Sequence, residues 1–261
     1  MKLFYYSLKS EFYKSRKTLA FWSTFLLPFL ICTLVFLIFF IKSKDLLGYA
    51  TPSNNHSLWI YFLEMILTPM GILILPVYIL FVAFSVNNIE HRGDMWKSLF
   101  SLPNPKWTTY YSKALFALLL ILICLLLFAV FSLLGGNILG KLKPELGFQN
   151  ITVGHFLFIL YFKLFLASIG ILSFQFFMSL IWSDFMKPMG IGFALIIVSL
   201  IAFRWQYSYL IPYAQPALLV RSIDGLQHNT LQLFSKDILV NLLLALIAFP
   251  LGYFLISRKN T

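Results

Sequence analysis

The sequence predicts an all-α polytopic membrane protein with six transmembrane helices, and composition is the first observation that does so. Of 261 residues, 60% are hydrophobic and only 11% are charged, whereas a soluble domain carries about 25% charged residues. The apolar residues also form long uninterrupted runs. Such a chain has too few polar side chains to cover its surface in water, so most of that surface is expected to face lipid.

Six apolar runs meet or approach the length of about 20 residues that a helix needs to cross the hydrocarbon core. The predicted spans are residues 19–41, 58–86, 114–134, 156–182, 189–203 and 238–256, and the second is broken by Pro69 and Pro76. The fifth run is the shortest, and the charge distribution supports it. We expect one transmembrane domain, residues 1–261.

The Lys and Arg residues between the runs predict the orientation. The net charge is +11; with six spans, twelve basic residues fall on the side of the two termini, seven on the other side, and Lys163 inside a span. An excess of basic residues marks the cytoplasmic side, so both termini are expected there. No basic stripe lies on a polar scaffold, which argues against nucleic-acid binding.

Residues 1–18 are typical of an amphipathic helix lying in the membrane interface. Phe4, Leu8 and Phe12 are spaced four apart, with Tyr5 beside them. The polar positions between them are Lys9, Glu11, Lys14, Arg16 and Lys17. A basic flank that only sets the topology is the compatible alternative.

The loop of residues 87–113 is predicted to contain a second short helix. Asp94 is a suitable N-cap for residues 95–102, and Pro103 and Pro105 end the segment. Trp96, Leu99 and Phe100 share one face of a helix too short to cross a membrane, which suits docking into a partner's groove. The alternative is a hydrated connector with interfacial aromatics, the role expected for Trp107, Tyr110 and Tyr111.

This loop resembles that of the permease subunits of type-2 ABC exporters. The resemblance is carried by Glu90, Trp96-Lys97, Leu99, Leu102-Pro103, Lys106 and Lys113, and by the layout of an amphipathic N-terminal helix and six spans. It implies that residues 87–113 hold a cytoplasmic coupling helix, which contacts a separate ATPase. The contact would be formed by Glu90, Asp94, Trp96, Lys97, Leu99 and Phe100.

The resemblance also implies the partners and the location. Two ATPase subunits and a second permease, identical or homologous, would complete the exporter in a bacterial cell membrane. Small outer segments favour an amphipathic or hydrophobic cargo. The Phe-rich, basic character is similar to that of permeases that clear antimicrobial peptides such as lantibiotics, which would make this chain an immunity or resistance protein. An ATP-independent channel or carrier and a non-transporting scaffold are the competing functions.

No motif in the chain indicates catalysis or a cofactor. Residues 135–141 match a phosphate-binding loop until Leu142 takes the Ser/Thr position, and they follow an apolar run where that motif follows a β-strand. ATP and magnesium are therefore expected on the partner ATPase. The four histidines lie in different loops without metal-ligand spacing. We expect a non-enzymatic chain without a metal site.

Two charged residues, Glu64 and Lys163, lie inside predicted spans. Charges at membrane depth are costly and often functional, so the two side chains could pair or face a translocation path. Alternatively, each reaches the outer interface by extending its side chain.

Residues 204–236 form the predicted outer loop before the last span. Two prolines, Pro212 and Pro216, and charged residues make this segment unsuited to crossing the membrane. In the family that the chain resembles, the equivalent loop re-enters the membrane as short helices, which is possible only where protein or a cavity covers the backbone. A plain extracellular loop is the alternative.

Overall fold

The computed structural model describes residues 2–47, 55–91, 105–148, 153–182, 184–221 and 235–258. Within these ranges all regular structure is helical, which confirms the predicted fold class. The helices are α1 (Lys2–Ser15), α2 (Leu19–Ile41), α3 (Ser43–Leu47), α4 (Asn55–Pro69), α5 (Leu75–His91), α6 (Lys106–Leu142), α7 (Gly154–Ile181), α8 (Met186–Ile201), α9 (Gln215–Arg221) and α10 (Lys236–Arg258).

Six helical segments of the described chain are long and apolar enough to cross a membrane. They are α2, the segment from α4 to α5, α6, α7, α8 with the turn that follows it, and α10. The 23 residues of α2 correspond to about 35 Å at 1.5 Å per residue, enough for a hydrocarbon core of about 30 Å. Thr18 caps this helix, since its Oγ1 accepts a hydrogen bond from the Phe21 amide at 3.3 Å.

The second span continues through its prolines. Between Pro69, the last residue of α4, and Leu75, the first of α5, five residues, Met70–Ile74, form a π-helical stretch. Because proline removes a backbone donor, the helix accommodates it by a local change of hydrogen bonding. The apolar run read from the sequence as broken is therefore one irregular helix.

The third span is longer than its apolar run, because α6 extends from Lys106 to Leu142. Its last turns include the residues that resemble a phosphate-binding loop. Gly136 lies there against the Trp59 ring, which occupies the space where a Cβ atom would stand. Trp59 Nε1 donates to the carbonyl of Phe148 at 3.0 Å. The helical extension is thus held by tertiary contacts that apolar content alone does not reveal.

The helix bundle has two ends. We call the end that holds α1, His91, Lys106 and Arg258 the terminal face, and we call the opposite end the far face. Hydrogen bonds from α1 and α10 to α6 bring the two chain ends together at the terminal face.

The helix α7 lies at the centre, packed against α5, α6, α9 and α10, while α2 packs mainly on α6. The spans α2, α8 and α10 bury the smallest share of their residues. They expose large apolar side chains such as Leu34, Ile197 and Leu246. Exposed apolar faces of this extent are expected for helices in contact with lipid.

After α8 the chain forms three single 3-10 turns and then α9. This segment, residues 202–221, packs against α7, α8 and the π-helical stretch of the second span. At Gly71 a Cβ atom would lie 2.9 Å from the Pro216 carbonyl oxygen. The segment therefore lies beside the middle of the second span. Its entry into the bilayer stays a prediction.

Candidate functional site

The candidate coupling residues fall almost entirely outside the described part of the chain. Asp94, Trp96, Lys97, Leu99 and Phe100 lie in residues 92–104, and of Glu90 only the helical backbone, within α5, is described. The coupling helix therefore stays a prediction. What the structure does describe is the base of the loop, where α5 ends at His91 and α6 begins at Lys106.

A buried ion pair lies at this base. Lys113 Nζ donates to Glu11 Oε2 at 2.8 Å, and both side chains are at most 1% exposed. Lys113 Nζ also donates to the carbonyl of Val86 at 3.3 Å. One ammonium group thus joins α1, α5 and α6.

Further polar contacts surround the ion pair. Ser7 Oγ of α1 and Ser112 Oγ of α6 are 2.7 Å apart. Within α1, Lys14 Nζ lies 3.5 Å from the other carboxylate oxygen of Glu11, Oε1. We call Ser7, Glu11, Val86, Ser112 and Lys113 the base cluster. Two charges removed from water are stable only with good geometry and additional hydrogen bonds, and this cluster supplies both.

The base cluster lies close to both ends of the candidate coupling loop. Val86 precedes the end of α5 by five residues and Lys113 follows the start of α6 by seven, distances of about 8 and 10 Å along the helices. The base cluster therefore connects the two helix ends that flank residues 92–104 with α1.

The structure corrects one expectation about α1. The sequence places Glu11 with Lys9 on the water-facing side of an amphipathic helix, yet Glu11 is buried and Lys9 is exposed. The spacing of the polar residues already indicated a buried face, since Ser7, Glu11 and Ser15 are four residues apart and lie on one side of the helix. Only a basic partner on another helix explains why that stripe faces inward.

A second polar contact joins α5 to α7 one residue from the base cluster. Asn87 Nδ2 donates to Ser179 Oγ at 2.6 Å, and Ser179 Oγ lies 3.2 Å from the Ala83 carbonyl. Both side chains are fully buried. Buried amides and hydroxyls of this kind hold membrane helices at a fixed spacing.

A third buried contact connects the segment after α8 to the bundle. Gln175 of α7 donates through Nε2 to the Pro188 carbonyl at 2.8 Å, and its Oε1 accepts from the Tyr213 hydroxyl at 2.9 Å. One amide therefore fixes α7, the beginning of α8 and the turn at residues 212–214. These residues carry no signal in the sequence, because a lone Gln in an apolar run has no periodicity.

Glu64 and Lys163 are not joined to each other by any hydrogen bond or ion pair that the structure records among the described residues. Glu64 is half-buried, whereas Lys163 is 4% exposed. A function for these two charges stays a prediction. No group of His, Cys, Asp and Glu residues in the described ranges has the arrangement of a metal site.

Comparison with protein families identifies the chain. Residues 7–199 match the family described as ABC-2 family transporter protein, and this range covers most of α1 and continues to α8. The chain belongs to the ABC-2 transporter family. No curated protein and no solved structure matches it.

Membership in the ABC-2 family makes this chain a multi-pass membrane protein and a component of a transport system. The matched range includes the base cluster and both helix ends that flank residues 92–104. The base cluster is therefore part of an ABC-2 permease body.

Proposed function

We propose that this ABC-2 chain is the permease subunit of an ATP-driven exporter. Two ATPase subunits would bind at the terminal face, on the cytoplasmic side of a bacterial cell membrane, and a second permease, identical or homologous, would complete the assembly. The proposal is supported by the base cluster, which joins α1, α5 and α6 through hydrogen bonds. This cluster lies beside the loop that is predicted to contact the ATPase.

The base cluster gives this proposal a mechanical form. Closure of the ATPase subunits on ATP would supply the force, and residues 94–102 would receive it. Because Lys113 bonds to both Glu11 and the Val86 carbonyl, α1, α5 and α6 would move as one body. Asn87 would pass the movement to α7 through Ser179.

The proposed cargo is an amphipathic or hydrophobic molecule, with a lantibiotic-type antimicrobial peptide as the best candidate. Support comes from the apolar spans, in which the charged side chains Glu64 and Lys163 are exceptional. A cargo that partitions into the membrane reaches such a body laterally and needs no wide hydrated entrance. The biological role would be immunity or resistance of the producing cell.

Co-purification tests the coupling part of the proposal. The permease is expressed with the ATPase encoded beside it, extracted in mild detergent and captured by a tag. We expect the ATPase to be retained by the native chain and lost from the double variant Trp96→Ala/Phe100→Ala. Trp205→Ala is the matched control, because this exposed tryptophan lies near the far face and should leave binding unchanged.

Retention of the ATPase by the double variant would contradict the coupling site, and absence of any ATPase with the native chain would contradict the exporter. In the latter case an ATP-independent carrier or a scaffold becomes the better interpretation.

Peptide protection tests the cargo. Cells that produce the permease and its ATPase should survive a higher lantibiotic concentration than cells with an ATPase whose phosphate-binding lysine is replaced. Equal survival would show that ATP does not drive protection. If the complex is intact but protects against no peptide, the result would contradict the proposed cargo and would not contradict the exporter function.

A further inference from the structure

An apolar cleft lies between α6 and α10 in the half of the bundle next to the terminal face. Its volume is about 630 Å³, within the range of about 300–1,000 Å³ found for small-molecule sites. Leu118 of α6 and Leu242 and Leu246 of α10 line its walls, and Ile169 of α7 lies between them. Phe4 of α1 closes the end near the terminal face.

The cleft exists because α6 and α10 both pack along α7 but touch each other at few places. One contact is the Tyr110 hydroxyl, which donates to the Phe249 carbonyl at 2.8 Å, and another is Lys106 Nζ, 3.4 Å from the Ser257 carbonyl. Both lie toward the terminal face. Next to these contacts, the described residues of the two helices leave an apolar cleft between them.

The dimensions of the cleft match one leaflet of a bilayer. From Leu242 to Pro250 the lining of α10 covers nine residues, about 12 Å along the helix. Half of a hydrocarbon core is about 15 Å. Leu246 is 70% exposed at the mouth, so the cleft opens sideways toward lipid, the direction from which an acyl chain enters.

Basic residues lie at the terminal-face ends of the helices that surround the cleft. Lys106 begins α6 and Arg258 ends α10, the two helices that form the walls, and Lys2 is two residues from Phe4. The acidic side chain on α1, Glu11, is held in the buried pair with Lys113. A negatively charged headgroup would therefore meet cationic groups beside an apolar channel of one-leaflet depth.

We propose that this cleft binds an anionic phospholipid from the leaflet at the terminal face. One acyl chain lies along Leu118, Ile169 and Leu242, and the headgroup lies at Lys106 and Arg258. The lipid contacts Phe4 and so holds α1, whose Glu11 pairs with Lys113 in the base cluster. Occupancy of the cleft thereby stabilises the base of the candidate coupling loop, whatever cargo the protein carries.

Photo-crosslinking tests the site. The full chain is reconstituted in phosphatidylcholine nanodiscs that contain a trace of a photoreactive lipid. The photoreactive lipid is phosphatidylglycerol in one sample and phosphatidylcholine in the other, and both carry the same diazirine-labelled acyl chain. Labelled peptides are identified by mass spectrometry. We expect phosphatidylglycerol to label α6 and α10 residues of the cleft. Lys106→Gln and Arg258→Gln should each weaken apparent binding roughly fivefold, and Lys187→Gln, at the beginning of α8, should not.

A matched pair of variants separates the cleft from the general lipid-facing surface. Leu246→Trp fills the mouth of the cleft, while Ile247→Trp adds the same bulk to a neighbouring position that is 59% exposed and does not line the cleft. We expect Leu246→Trp to abolish cleft labelling and Ile247→Trp to retain it, with both proteins equally stable in detergent.

Equal labelling by the two lipids, or equal loss in both tryptophan variants, would overturn the proposal. Displacement of the lipid by the transported peptide, with the peptide crosslinked in its place, would make the cleft a cargo site and would also overturn it. These results do not depend on ATPase binding, so the proposal and the exporter function fail separately.

Discussion

At the scale of single residues, the buried pair of Glu11 and Lys113 is the feature with the largest expected effect. Each charge is tolerable only because the other is present. Lys14, which also lies beside the Glu11 carboxylate, is 31% exposed, and exposed pairs contribute little because water and salt screen them. The two contacts of one carboxylate should therefore differ greatly in energy.

Substitution of either member of the pair should destabilise the protein strongly. Glu11→Gln or Lys113→Met leaves one buried charge without its partner, and we expect a loss of about 3–5 kcal/mol in the free energy of unfolding. The double variant should lose less than either single variant, because no buried charge remains. Thermal unfolding in detergent measures all three. Lys14→Gln is the control, with an expected loss below about 1 kcal/mol; an equal loss there would contradict the assignment.

At the scale of helices, α7 and α10 approach closely at one glycine. Asn241 of α10 donates through Nδ2 to the carbonyls of Leu166 and Ala167 at 3.1 and 2.8 Å. A Cβ atom on Gly170 would overlap the Asn241 amide. The small residue lets a polar side chain reach the backbone of its neighbour, a common way for membrane helices to associate.

Gly170→Ala should therefore separate the two helices locally. Since the Asn241 amide has to give up its backbone contacts or shift, we expect a loss of about 1–3 kcal/mol in the free energy of unfolding. Gly190→Ala is the matched control, because nothing lies within 4 Å of its added Cβ. That control should gain up to about 1 kcal/mol from better helix propensity. Equal behaviour of the two variants would contradict the close approach.

The element that follows α8 depends on the Gln175 amide. Gln175→Leu would leave the buried Tyr213 hydroxyl without its acceptor, and Tyr213→Phe would remove the donor. We expect each to lower the free energy of unfolding by about 1–3 kcal/mol, with the double variant losing less than the sum. The control Tyr207→Phe concerns a tyrosine that is 44% exposed and should change little. Strict additivity would show that the two residues act independently.

At the scale of the whole molecule, the proposal requires α1 and residues 94–102 to lie on the same side of the membrane. The structure already brings α1, the end of α5 and the start of α6 together. The side on which they lie stays a prediction from the charge distribution, and accessibility of single cysteines determines it. The native Cys32 and Cys124 are buried, so they give a low background.

We expect a membrane-impermeant maleimide to label Glu145→Cys in intact cells, because Glu145 is exposed at the far face. Lys9→Cys and Ser98→Cys should be labelled only after the cells are opened, since both are predicted to be cytoplasmic. Labelling is measured by a mass shift on a gel. Labelling of Ser98→Cys and Lys9→Cys from opposite sides would contradict the coupling loop.

Much of the fold was predictable because lipid imposes a simple rule on the sequence. Backbone groups in hydrocarbon must bond internally, so each long apolar run becomes a helix. The boundaries were less predictable: α6 extends to Leu142 through Gly136, a position stabilised by the Trp59 ring. The π-helical stretch after Pro69 was missed because hydropathy carries no information about backbone geometry.

The sequence by itself determined the fold class, the six spans and the resemblance to ABC exporter permeases, since composition, run length and a short loop motif are local properties. Only the tertiary structure decided that Glu11 is buried against Lys113, that Gln175 holds the segment after α8, and that an apolar cleft remains between α6 and α10. The physical reason is that burial of a polar group depends on a partner distant in the chain, which no local pattern encodes.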